Sequence, residues 1–183
     1  IELDPIQVAV TPQLESGQKA PPIDVKTYDD KKDLTLELFK GKYLFICFWI
    51  SSSPSADFQA KLQEMYADMK NKQPLRMLAI CVDEDRKQAV DYIVKQKLRE
   101  GSHGFSDGLE NRTLFDYGVR SFPSFWLIDP EGKIAMTQSE FAQAFRNEDD
   151  LAVIITNRIT GTDSPTPAKR PNEQDDNGAS SDK

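Results

Sequence analysis

The chain has 183 residues, 23 of them basic and 30 acidic, for a net charge of -7. With no Lys/Arg cluster, it lacks the electrostatic footprint of a nucleic-acid binder. Ten Phe, five Tyr and two Trp supply the bulk for one core, the usual number at this length. The longest apolar run, residues 43–50, is far short of the ~18 to 20 residues of a membrane span, so no span is expected within these residues.

One histidine, His103, and two cysteines 34 positions apart, Cys47 and Cys81, do not make the closely spaced ligand set of a zinc site. No metal is expected, and nothing implies a cofactor. Two cysteines do not make a disulfide framework either. The chain begins at Ile1 rather than Met, as expected of a processed or trimmed chain.

In chain order, Ile6, Val8 and Val10 alternate like a short strand, and residues 11–16 read as a linker, so residues 1–16 form an N-terminal extension. Residues 43–50 are continuously apolar and rich in aromatic and β-branched side chains, which predicts a strand buried on both faces. Ser51, Ser52, Ser53 and Ser55 are capping residue types around Pro54, ahead of a helix. Phe58, Leu62, Met65, Tyr66 and Met69 mark one face of that helix, which ends near Asn71. A second buried strand covers 76–82. Asp83, Glu84 and Asp85 then suit the positive N-terminus of the next helix, whose apolar face is Ala89, Val90, Ile93, Val94 and Leu98. This is a βαβ unit with parallel strands. His103, between two glycines, reads as part of a solvated loop.

Leu114, Phe115 and Tyr117 predict a short helix. Segments 124–129 and 133–137 form a hairpin around 130–132, and Leu151, Ile154, Ile155 and Ile159 make a last helical stripe. After Ile159 there is no aromatic and no Val, Ile, Leu or Met, so residues 162–183 are expected to be a disordered tail beyond a domain at 17–161.

The order β, α, β, α, β, β, α is that of a thioredoxin fold, and four stretches carry a closer likeness. They are residues 17–21; 39–42 leading into Phe48 and Trp49; 82–85; and 117–124 followed by 127–134. Together they resemble the thioredoxin-like proteins of the alkyl hydroperoxide reductase and thiol-specific antioxidant group, especially the thiol-disulfide reductases of the bacterial cell envelope. The resemblance implies an α/β fold with a central mixed sheet flanked by helices and extra N-terminal strands. It also implies a cell-envelope or periplasmic location, and a cis-proline at Pro123 where an extended peptide pairs.

The departure from that family lies at its active site. The family's Cys-x-x-Cys falls on Ser53 and Ala56, so both thiols are missing. Dithiol exchange needs an exposed thiolate at a helix N-terminus, and a serine hydroxyl with no nearby base cannot replace it. The serines therefore read as capping and turn residues, with no catalytic residue expected. Cys47 follows the resemblance to a place beneath Ala56; a small buried hydrophobe is the plainer reading. A Cys47–Cys81 bridge between adjacent parallel strands has poor geometry, so both thiols are expected free. The leading expectation is a non-catalytic module, either structural or binding a protein or peptide near Trp49, Phe122 and Pro123. The alternative is a thiol-disulfide oxidoreductase whose cysteines at 53 and 56 were engineered away, or one using Cys47 as a single thiol.

Overall fold

The structure is a computed structural model that describes residues 13–28, 31–146 and 150–162. The strand expected at Ile6 to Val10, most of the N-terminal extension and nearly all of the expected tail lie outside the described residues.

The strands are β1 (Val25–Thr27), β2 (Asp33–Leu34), β3 (Tyr43–Trp49), β4 (Leu75–Cys81), β5 (Ser102–Phe105), β6 (Ser124–Ile128) and β7 (Ile134–Met136). They form one sheet in the order β2-β1-β5-β4-β3-β6-β7. β3, β4 and β5 run parallel. β6 is antiparallel to β3 and forms the expected hairpin with β7, while β1 and β2 supply the N-terminal strands, antiparallel at the other edge. The helices are α1 (Ser55–Met69), α2 (Arg86–Lys95), α3 (Arg112–Asp116), α4 (Gln138–Arg146) and α5 (Leu151–Thr160).

The unbroken apolar run of β3 follows from burial on both faces. Phe45, Cys47 and Trp49 point into one core cluster with α1, α2, α4 and α5. Leu44, Ile46 and Phe48 point into a second, with Leu114 and Tyr117. β4 divides the same way: Met77, Ala79 and Cys81 face the first cluster, Leu78 and Ile80 the second.

Two elements escape the expected order, α4 and β5. The expected loop at His103 is in fact β5, parallel to β4, with His103 opposite Ala79. A Ser-His-Gly-Phe stretch has no β-propensity signal, and its glycine answers to packing instead. A Cβ on Gly104 would lie 2.8 Å from Val25 Cγ2 and 3.3 Å from Leu34 Cδ1, so only glycine lets the β1–β2 hairpin close over this strand. α4 opens with a reciprocal cap: Thr137 N–H donates to Glu140 Oε2 at 2.7 Å, and Glu140 N–H to Thr137 Oγ1 at 3.3 Å. That is a capping box, and the Thr-x-x-Glu spacing announces it in the sequence. Ser16 Oγ also donates to Glu140 Oε2 at 2.6 Å, and Arg158 lies 3.5 Å from Oε1. Burial alone would raise the Glu140 pKa, but these partners outweigh it and hold the carboxyl below its ordinary range.

Candidate functional site

The site lies where β3 leaves the sheet and α1 begins. Trp49 ends the strand, and residues 50–54 turn the chain into the helix. The Ser53 N–H donates to the Ile50 carbonyl at 3.4 Å and the Ala56 N–H to the Ser53 carbonyl at 2.9 Å, so positions 53 and 56 bracket the first turn. The N-cap residue is Pro54, with no side-chain cap bond, because the Ser53 hydroxyl turns back to the Ile50 carbonyl at 3.2 Å. Ser51 is buried and its hydroxyl has no partner among the described residues.

The turn is held from the neighbouring strand. Asp83 accepts the Ser51 N–H on both carboxylate oxygens, at 3.0 and 3.3 Å. Of the three acidic residues read as a helix-terminus group, Asp85 has that role, accepting the Lys87 and Gln88 N–H groups. Asp83 instead fastens the ends of two parallel strands together, a long-range role that a local acidic run does not reveal.

Cys47 and Cys81 are both free and buried. Cys47 shares its core cluster with Ala56 and accepts a hydrogen bond from Gln59 Nε2 at 3.3 Å. Burial pushes its pKa up to about 12, against the opposing pull of Gln59. Burial likewise lifts Cys81 far above its ordinary range. A nucleophilic thiol needs an accessible thiolate, and burial works against that state at both cysteines. Gln59 escaped the sequence reading; a fully buried amide on α1, it leaves its Oε1 without a partner among the described residues.

Trp49 does not take the place expected of it. Its side chain is 0% exposed and packs against Tyr92 with ring centroids 5.6 Å apart, because strand alternation turns it inward with Cys47. It cannot touch a docked peptide. Phe122 and Pro123 are half-buried, and the peptide bond between them is cis. Phe48 pairs with Ser124, so the chain enters β6 from this loop opposite the C-terminal end of β3. Gln138, at the start of α4, clasps both sides of this loop: it bonds the Ser124 hydroxyl through Oε1 and donates to Ser121 Oγ at 3.4 Å.

His103 lies away from this turn, on the face of the sheet shared with Ala79. Its ring nitrogens are buried. Burial pulls its pKa below the ordinary 6.5, only partly offset by the Glu100 backbone. A base with a depressed folded-state pKa is protonated more readily in the unfolded chain, so its contribution to stability is complete above 6.5 and is lost as pH falls through the folded-state value. Urea midpoints measured from pH 7 downward are expected to fall below pH 6.5, with a slope of at most about 1.4 kcal/mol per pH unit from this residue. His103→Phe should remove that part of the slope; an unchanged slope would rule His103 out as its source.

A mixed sheet with a strand-to-helix turn facing a Pro-containing loop defines the thioredoxin-like class. The family model described as Thioredoxin-like matches residues 41–134, and the chain belongs to that family. Thiol-disulfide oxidoreductase ResA of Bacillus thuringiensis subsp. konkukian is 29% identical over 125 residues, which is 67% of this chain and 68% of the relative. Among solved structures, the C-terminal domain of a protein described as a thiol-disulfide oxidoreductase from Bacteroides thetaiotaomicron is 26% identical. It superposes with a TM-score of 0.61 over 73% of this chain and 95% of its own. A thiol-disulfide oxidoreductase from Bacteroides fragilis shares the fold at 24% identity and a TM-score of 0.59, over 72% of this chain and all of its own. Among the described residues no cluster of His, Cys, Asp and Glu is placed to hold a metal, and no helix is long and apolar enough to cross a membrane.

Proposed function

We propose that this chain is a thioredoxin-like module without dithiol chemistry that holds an extended protein segment against the loop of Phe122 and Pro123, in the cell envelope where the resemblance places its relatives. The observation that carries this reading is the state of the sulfur. The two positions bracketing the first turn of α1 are Ser53 and Ala56, and both thiols of the chain are buried and held protonated. A mixed disulfide needs an accessible thiolate attacking a substrate sulfur. The half-buried loop, clasped by Gln138, offers partly exposed backbone and apolar side chains suited to pairing with an extended peptide.

Two measurements test it. Reduction of a protein disulfide by a dithiol reagent is expected to run at the reagent's own rate with or without the protein. Turnover abolished by Cys47→Ala would establish the single-thiol alternative instead. Titration with extended peptides is expected to shift the backbone amides of 121, 122, 124, 125 and 50–53. If the peptides that bind shift only amides elsewhere, the docking face is wrong even where the absence of redox turnover stands.

A further inference from the structure

Residues 17–20 run along the outer edge of β7. Lys19 bridges Lys133 in the antiparallel sense. The Gly17 N–H donates to the Ile134 carbonyl at 2.7 Å, and the Ile134 N–H to the Gln18 carbonyl at 2.8 Å. Ser16 continues the path, its hydroxyl donating to the Ala135 carbonyl at 3.4 Å. Followed toward the N-terminus, the chain therefore tracks β7 into the start of α4. There Gln13 and Leu14 share a groove with Tyr117, Thr137 and Gln138, and Leu14 packs against the second core cluster. Gln138 is the side chain that clasps Ser121 and Ser124. The residues before Gln13 thus set out from beside the loop that carries Phe122 and Pro123.

Those residues have the character of a strand. Ile6, Val8 and Val10 alternate with Gln7 and Ala9, and residues 5–13 carry no charge. In extended form the three β-branched side chains share one face, and a strand of that kind is a liability unless it is paired or covered. Pro12 biases Thr11 toward extended backbone. At full extension the chain carries Val10 about 10 Å and Ile6 about 24 Å from Gln13. The loop, one glutamine side chain away, falls within that reach. The outer edge of β7 is already taken by 17–20. The edge at β2 lies six strand spacings from β7, or about 29 Å, which is out of reach.

We propose that residues 6–10 fold back in cis onto the loop of Phe122 and Pro123, as a strap that a partner segment must displace. Ile6, Val8 and Val10 turn toward the half-buried Ile50, Phe122 and Pro123, and the backbone of the strap pairs with that of the loop. A tether this short holds the strap at a millimolar effective concentration, so weak contacts suffice to keep it seated. The inference rests on reading that loop as the docking face.

The test uses the full chain with a nitroxide spin label on Gln7→Cys, on the opposite face of the strap from Ile6 and Val8, the two native thiols being buried. The label is expected to broaden the backbone amides of 121, 122, 124, 125 and 50–53. Adding Ile6→Ser, Val8→Ser and Val10→Ser should remove most of that broadening, whereas a tether that merely passes nearby would broaden both proteins alike and overturn the proposal. Mixing labelled chains with unlabelled, isotope-enriched ones should leave the enriched chains sharp; broadening in them would make the occupant a second copy and overturn the strap in cis. A synthetic peptide of residues 4–12 should then bind the triple-serine protein several-fold more tightly than the unaltered chain, and equal affinity would overturn the strap. Failure of the docking face reads differently: serine-sensitive broadening at 121–125 with no shift there from any foreign extended peptide, on either protein, would keep the strap and remove the partner.

Discussion

Replacing Ser53 and Ala56 together with cysteine is expected to give this protein a redox-active disulfide where it now has none. The backbone is already arranged for it. The Ala56 N–H bonds to the Ser53 carbonyl at 2.9 Å, so the two positions span a single tight turn, within the Cα separations a disulfide bridges. Asp83 pins that turn through the Ser51 N–H, which limits the ordering that the bond would otherwise impose. A thiolate at position 53 lies beside the N-terminal turn of the fifteen-residue helix α1. Helix-terminal N–H groups lower a thiol's pKa below its free value of ~8.5. The measurement is a pH series of alkylation rates: the thiol at 53 should titrate below ~8.5, while native Cys47 and Cys81 stay unreactive in the folded protein. Cys47 shares its cluster with Ala56, so the series is best repeated with Cys47→Ser, which removes a competing partner. A thiol at 53 that titrates as a free one and never pairs with position 56 would place the lost motif in another register, at Ser52 and Ser55, or show that the turn has drifted too far to support the chemistry.

How much of this was legible without coordinates depends on whether the deciding contact is local. β3 and β4 are readable because each is buried on both faces and so is apolar at every position. α1 is readable from its 3.6-residue stripe, and the β6–β7 hairpin from its Pro-Glu-Gly turn. The absence of cysteine at 53 and 56 is plain in the sequence, and that these are the positions to ask about is what the family resemblance implies. What escaped depends on partners distant in sequence. β5 is a strand because Gly104 admits Val25 and Leu34, contacts roughly 70 to 80 positions away that no local pattern encodes. Asp83 resembles its neighbours Glu84 and Asp85 until the Ser51 amide, 32 positions earlier, is found against it. The burial of Trp49 is a related case: alternation along β3 sends its ring to the interior, which its nearness to the turn in sequence does not reveal. α4 was missed although its capping box was in plain view, since its apolar residues Phe141, Ala144 and Phe145 make too narrow a stripe to stand out.

Phe125→Ala is expected to be the most damaging single change around the site. Phe125 sits on β6 opposite Cys47 and is 6% exposed. Its ring meets four others: Phe45 stacked at 5.6 Å, Phe58 at 5.6 Å, Phe141 at 5.9 Å and Phe145 at 5.9 Å. These rings come from β3, α1 and α4, so one side chain joins the strand, the helix and the clasp that frame the site. Truncation forfeits the transfer free energy of the ring and opens a cavity that three separate elements cannot easily collapse to fill, a combined cost of about 3 to 5 kcal/mol. For a chain of this size that corresponds to a drop of roughly 6 to 20 °C in melting temperature. Phe125→Leu, which keeps most of the volume, should cost less than half as much. The damage should also reach the thiol: with the rings between α1 and α4 loosened, Cys47 is expected to become alkylated faster through local opening, while Cys81, near the Ser51 and Asp83 turn, should change less. A loss under about 1 kcal/mol would mean that the rings do not act as one packed unit. A large loss with equal acceleration at both cysteines would mean that the protein opens globally rather than at the site.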